Sequence, residues 1–229
     1  MKNFLAIILC VVSALTSWAG NKDEYIKVDW SPLFTDNVGW NIYTGDIVVG
    51  WNHTSDINTC MGHSMELGWL NVIGAKYNSG HGQRITMGVG IDWRNYRLEK
   101  RSQFTKIGED VVISNYPNGA TSRLSRVKVF SLTLPVLVRQ RLFSKVDIFA
   151  GPVLNFNLHA SMLTQYTLDG EKIKETSNSI HQVPFTIDVM GGLKWRALGA
   201  YVRYSPCHVL KENYAPSFTP FTAGIFIGF

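Results

Sequence analysis

The run Phe221 to Phe229, FTAGIFIGF, alternates large apolar residues with small or polar ones and ends on an aromatic. Period 2 of this strictness marks a strand with two unlike faces. A closing strand that terminates in Phe229 is what an outer-membrane β-barrel offers to its folding machinery and to the surrounding lipid. The expectation is a barrel that turns one parity of side chains outward into hydrocarbon.

Working back from that strand, the same period recurs in seven further segments, near 42 to 51, 62 to 77, 83 to 98, 125 to 141, 145 to 163, 183 to 195 and 199 to 209, with the last at 219 to 229. The connections alternate in length. Asn78 to Gly82, Leu142 to Ser144 and Arg196 to Leu198 are tight turns, whereas 52 to 61, 99 to 124, 164 to 182 and 210 to 218 are longer and polar. Short turns on one rim and long loops on the other, with both termini on the short side, is the layout of an outer-membrane barrel. The fold class expected is all-β, an eight-stranded antiparallel up-and-down transmembrane β-barrel.

Each segment separates into two faces. In the third, Ile85, Met87, Val89, Ile91 and Trp93 lie on one side and Thr86, Gly88, Gly90, Asp92 and Arg94 on the other. In the fifth, Ile148, Ala150, Pro152, Leu154, Phe156 and Leu158 are read outward, leaving Asp147, Gly151, Asn155, Asn157 and His159 inside. Trp93, Phe130, Trp195, Tyr204 and Phe229 are expected to mark the two membrane interfaces. A soluble lipocalin-type barrel would reverse these faces and turn its apolar side inward.

The N-terminus fits the same address. Lys2 precedes the apolar stretch Phe4 to Leu15, and Ser17 and Ala19 supply small residues for cleavage after Ala19. The domains expected are a signal peptide at 1–19, a short periplasmic segment at 20–38 and the barrel at 39–229. Twelve apolar residues fall short of the roughly 20 that a spanning helix needs. With 12% aromatic residues, 20 glycines and 17% charge, the composition suits strands.

Leu132 to Leu142 (LTLPVLVRQRL), Asp147 to Leu158 (DIFAGPVLNFNL), Phe185 to Lys194 (FTIDVMGGLK) and Tyr201 to Ser205 (YVRYS), with the closing strand, resemble the PorT-like family of small outer-membrane barrels. The resemblance lies in the order of a Leu-Pro-aliphatic strand, an aromatic-Gly-Pro strand and an Asp-Gly-Gly strand. It implies a barrel fold, and some members of that family belong to a protein-secretion system.

The inward parity collects Asp46, Glu66, Asp92, Arg94, Arg139, Asp147, Asp188, Lys194 and Arg203. An eight-stranded barrel is just wide enough for side chains to fill, and buried opposite charges must pair. The reading is a salt-bridge plug, with Arg139 and Asp147 as the leading pair across the 142 to 144 turn.

Positive charge concentrates between residues 94 and 128, where eight cations face only Glu99, Glu109 and Asp110. Arg97, Arg126 and Lys128 share the lipid-facing parity just above Trp93 and Phe130. That is the height of lipopolysaccharide phosphates, so these three are candidates to grip them. Expected partners are membrane lipid, lipopolysaccharide and envelope or secretion-machinery proteins, with a monomeric barrel and no nucleic acid.

Cys60 and Cys207 both fall at the extracellular end, which leaves a disulfide open. His53, His63, His159, His181 and His208 crowd the same end, but the paired spacings of a structural zinc site are absent. Neither a phosphate-binding glycine loop nor a nucleotide fingerprint occurs, so no cofactor is expected. The enzyme alternative is a lipid A-modifying esterase using His159 and Ser161. Their inward parity and the want of a carboxylate partner argue against it, and the expectation is a non-enzymatic protein.

Overall fold

A computed structural model describes residues 39–229, apart from 56, 80, 81, 144, 179 and 229. The expected signal peptide at 1–19, the expected 20–38 segment, His81 and Phe229 therefore lie outside the described residues. The strands are β1 Gly39–Thr54, β2 Met65–Asn78, β3 Gln83–Arg97, β4 Ser102–Ile107, β5 Asp110–Asn115, β6 Thr121–Phe143, β7 Val146–Leu168, β8 Glu171–Ser177, β9 Phe185–Trp195, β10 Leu198–Tyr204 and β11 Pro220–Ile227.

Antiparallel pairing runs β6–β3–β2–β1–β11–β10–β9–β7, and a further β6–β7 pairing closes the ring. Eight strands in up-and-down order thus form a barrel with no open edge in its wall, the architecture of the outer-membrane type. The period-2 run that starts at Phe221 supplies the closing seam. β11 pairs with β1 from Ile47↔Ile227 to Thr54↔Pro220 and with β10 from Leu198↔Ile227 to Tyr204↔Phe221.

Three strands lie outside the ring. The stretch read as the loop 99 to 124 contains the hairpin β4–β5, and that read as 164 to 182 contains β8, paired with the upper part of β7. These strands are only six or seven residues long, and β8 is rich in charge, so no sustained apolar alternation announces them. β10 ends at Tyr204 rather than near residue 209, because Pro206 has no N–H to offer a ladder.

The large apolar side chains point outward. Ile73 is 68% exposed, Val138 53%, Leu193 52% and Ile225 53%. Water would penalise such a surface, whereas a bilayer core would cover it. Trp93 rests against Phe130 with ring centroids 4.9 Å apart, and Phe156 against Phe185 at 5.3 Å, on the outer wall toward the long-loop rim. Trp195 lies at the short-turn rim and is exposed.

Inside, side chains stack in layers. Nearest the short turns, Arg139 pairs with Asp46, and Lys194 Nζ lies 3.6 Å from Asp46 Oδ1. An apolar layer of Val48, Leu70, Leu137, Phe149, Val153, Met190, Tyr201 and Phe226 follows. Phe226 is the exception to the small-or-polar reading of the closing strand, for its ring is buried against Phe149 at 5.2 Å. Above the central charges, Tyr96, Phe104, Val127, Met162, Leu210 and Phe218 form a second apolar core beneath the long loops.

One irregularity redirects a whole strand end. Ser131 pairs with Asn157, yet Phe130 pairs with His159, so Leu158 is an extra residue in β7. A bulge of this kind shifts the parity of everything beyond it. Ala160, Met162 and Thr164 are consequently buried, and His159 is exposed. His159 and Ser161 therefore share the outer face with their partners Phe130 and Lys128. Their sequence-based inward assignment is corrected by this single inserted residue.

Candidate functional site

The interior network and the outer wall above the aromatic belt are the two places where charge is organised. At the barrel centre, Arg203 reaches in from β10. Its Nη1 donates to Glu66 Oε1 and to Asp92 Oδ2, each at 3.0 Å, its Nε to Asp188 Oδ2 at 2.7 Å and its Nη2 to Asn155 Oδ1 at 2.6 Å. Arg94 Nη1 donates to Asp188 Oδ2 at 3.3 Å, and its Nε lies 3.1 Å from Asp92 Oδ2 as an ion pair. Asn155 Nδ2 donates to Asp188 Oδ2 at 2.8 Å, and Tyr201 OH to Glu66 Oε1 at 3.2 Å.

Two guanidiniums and three carboxylates are thus interlocked, all of them 5% exposed or less. Bringing such ions out of water costs several kcal/mol each, roughly, and only multiple short contacts offset it. Gly50 makes room for the arrangement: a Cβ there would collide with the Tyr201 phenol and Thr222. The gap between this network and the upper core, beside Arg94 and Tyr96, measures about 10 Å³, no more than one water molecule.

Lower in the barrel the expected partnership of Arg139 with Asp147 is not made. The β6–β7 register sets Asp147 opposite Arg141 and Arg139 opposite Phe149. Asp147 Oδ1 lies 3.5 Å from Arg141 Nε, and its Oδ2 lies 3.6 Å from Arg84 Nη2, while Arg139 turns to Asp46.

On the outer wall, β3, β6 and β7 present successive rows. Trp93, Phe130 and His159 form the first, Asn95, Lys128 and Ser161 the second, and Arg97, Arg126 and Leu163 the third. Arg97 and Arg126 face each other directly across β3–β6, an arrangement that like charges disfavour in the absence of a shared anion. Among the described residues neither has a carboxylate within ion-pair range. No carboxylate partner of His159 occurs among the described residues either, and none of their His, Cys, Asp and Glu side chains form a group of three or more able to hold a metal ion.

Just above these rows an open cleft of about 580 Å³ is lined by Arg97, Lys100, Thr121, Ser122, Arg123, Leu124 and Gln165. Sequence reading missed it, because it forms where β6 slips against β7 between Thr121 and Leu124, with Ser122 in a left-handed conformation (φ 49°). No hydrophobic period signals such a slip.

At the loop end, His181 Nε2 lies 2.8 Å from Glu109 Oε2, and its ring stacks on Tyr214 at 4.2 Å. The hydrogen bond from His181, then the nearby Lys106, hold the Glu109 carboxyl below its ordinary range. This contact fastens the β4–β5 turn to the 210–218 loop, as does Val111 N donating to Tyr214 O at 2.6 Å. Cys60 and Cys207, whose bridging was left open, are both free thiols. Cys60 Sγ sits 3.4 Å from His63 Nδ1 beside the β1–β2 connection, and Cys207 Sγ 3.8 Å from Ile187 O near β9, so each is held by its own neighbourhood.

An apolar exterior, a buried charged centre and a cationic rim define a small barrel of the outer-membrane class. No family model matches the chain, and no curated protein matches it. Among solved structures it is similar to Ail, the attachment invasion locus protein of Yersinia pestis, at 9% identity and a TM-score of 0.37, covering 84% of this chain and 100% of that one. It is also similar to Neisserial surface protein A, NspA, at 16% identity and a TM-score of 0.38, covering 83% and 99%. A further similar structure is Ail in complex with the heparin analogue sucrose octasulfate, at 9% identity and a TM-score of 0.35, covering 84% and 100%.

Proposed function

We propose that the protein is a small integral barrel of the outer membrane that works by contact with the envelope, not by catalysis or conduction. The observation that carries this reading is the outer wall itself. An apolar face rises to the Trp93–Phe130 pair and then changes at once to Lys128, Arg126 and Arg97. Aromatic rings favour the membrane interface, and the phosphates of lipopolysaccharide lie immediately above it. The opposed Arg97 and Arg126 would share one phosphate through charge-assisted hydrogen bonds, and Lys128 would neutralise a second as a point charge.

In this reading the leader is cleaved after Ala19, and the interior network is a plug that holds the wall rigid. The resemblance to PorT-like barrels extends the proposal to an accessory role in protein secretion, with envelope proteins as partners of the loop end. A lipid A esterase built on His159 and Ser161 gains the correct face from the bulge, but it still wants a group to orient the imidazole.

The test is co-purification. Changing Arg97, Arg126 and Lys128 together to Gln should reduce lipopolysaccharide recovered with the folded barrel severalfold. Unchanged lipid content in the triple variant would refute the contact. Loss of one acyl chain from lipid A only in cells carrying the gene would favour the esterase.

A further inference from the structure

We infer that the cleft above the cationic rows is a binding site for an anionic saccharide, a sugar carrying phosphate or sulfate esters. The site adjoins the lipopolysaccharide contact proposed above and shares Arg97 with it, but it rests on a separate set of residues.

The lining decides the chemical class. Arg97, Lys100 and Arg123 supply three cations, and no carboxylate lies among the lining residues or, among the described residues, within ion-pair range of them. Three unneutralised cations around one concavity raise the local concentration of anions. Thr121, Ser122 and Gln165 add hydroxyl and amide groups suited to sugar hydroxyls, while Leu124 is the single apolar lining residue. The other apolar surface in the cleft belongs to the aliphatic stems of residues that end in charged or polar groups. A nucleobase would find no aromatic ring to stack on, since such sites ordinarily provide one.

The size points the same way. A volume of about 580 Å³ falls within the range of small-molecule sites and is far larger than a lone phosphate requires.

Arg123 is held ready for a ligand. Its Nε donates to Ala120 O at 2.8 Å, its Nη1 to Lys100 O at 3.4 Å, and its guanidinium lies over the Tyr116 ring at 5.6 Å from the centroid. Those contacts use two of the five donors of the fork, leaving the rest of Nη1 and all of Nη2 to a phosphate or sulfate. The first of them also ties Arg123 to the turn that precedes β6. A side chain fixed in this way loses little freedom when it binds. The slip at Ser122 is what separates this residue from the regular rows below, and bulges commonly redirect side chains in this manner.

Two sources present this chemistry, the phosphorylated core sugars of the envelope and sulfated sugars supplied from outside. The experiment uses the full-length barrel refolded in detergent without lipopolysaccharide. Calorimetric titrations are run with deacylated lipopolysaccharide core oligosaccharide, with a sulfated heparin disaccharide and with maltose as the neutral sugar. Binding of either anionic sugar, with maltose inert, is expected, and the arm that binds more tightly identifies the source. Lys100→Gln and Arg123→Gln should each weaken it by about tenfold, the loss of one charge-assisted contact. Lys145→Gln, at an exposed cation of the opposite, short-turn rim, should leave it intact.

Arg123→Gln also removes contacts to the turn, so Lys100→Gln, whose side chain makes no such contacts among the described residues, keeps the test decisive. Heat-modifiable gel migration verifies folding of every variant. Absence of binding by both anionic sugars, equal binding of maltose, or full affinity in Lys100→Gln would overturn the assignment. Lipopolysaccharide co-purification that persists in Lys100→Gln would leave the proposed envelope contact standing whatever the titrations show.

Discussion

Asn157 and His159 lie two residues apart on β7 and yet face opposite sides of the barrel wall. Asn157 Nδ2 donates to Val183 O at 2.7 Å and its Oδ1 accepts from Ser131 at 2.6 Å, whereas His159 is exposed beside Phe130. The residue between them, Leu158, is the cause.

Deleting Leu158 should therefore be tolerated. It removes the bulge and leaves His159 outward and Ala160 and Met162 inward. Deleting Leu154 should not be, because Asn155 and Asn157 would then turn toward lipid. The measurement is the yield of heat-modifiable barrel from refolding, with the first deletion near the unaltered chain and the second close to nil. The opposite ranking would dismiss the bulge.

Arg203 ties Glu66, Asp92 and Asp188 together, so Arg203→Met leaves three carboxylates crowded around Arg94. Removing one partner from a buried network costs about 3 to 5 kcal/mol. Urea unfolding in lipid or detergent should show a loss of this size. Adding Glu66→Gln and Asp188→Asn to Arg203→Met should recover part of it, since the surplus negative charge is gone.

Two charged layers and two apolar cores are stacked along the axis, which is the basis of the proposed plug. Purified protein in planar bilayers is expected to give no large, stable conductance steps. Regular stepwise currents from a homogeneous preparation would contradict the plug.

The Glu109 carboxyl is depressed by His181 and Lys106. A depressed carboxylate contributes stability above its unfolded-state pKa, and the contribution is lost as pH falls through the lower folded-state value. The β4–β5 turn should accordingly stay docked through mildly acidic conditions and loosen only in stronger acid. Hydrogen exchange at residues 107 to 110, followed against pH, reads this directly. In Glu109→Gln the acid-induced step should vanish.

The ring was legible because lipid solvation imposes one rule on every strand, apolar outward at every second position. Ile85 to Trp93 shows it without interruption. Parity alone also gathered Glu66, Asp92, Arg94, Asp188 and Arg203 inside. What it lacked was register. The choice between Asp46 and Asp147 for Arg139 depends on which rungs of β6 and β7 meet, and a period of two carries no such information. The bulge at Leu158 and the slip at Ser122 are single-residue offsets between strands, so the outward turn of His159 and the cleft beside Arg123 had no signature in either strand alone. β4, β5 and β8 escaped notice for another reason: standing outside the ring, they owe nothing to lipid.

The central network has a bearing on biogenesis. Glu66, Asp92 and Arg94 come early in the chain and Asp188 and Arg203 late, so a nascent half-cylinder inserted alone would expose unmatched ions to oil. Glu66 gains its cation only when the carboxyl-terminal hairpin brings Arg203 across, so ring closure is expected to accompany entry into the bilayer.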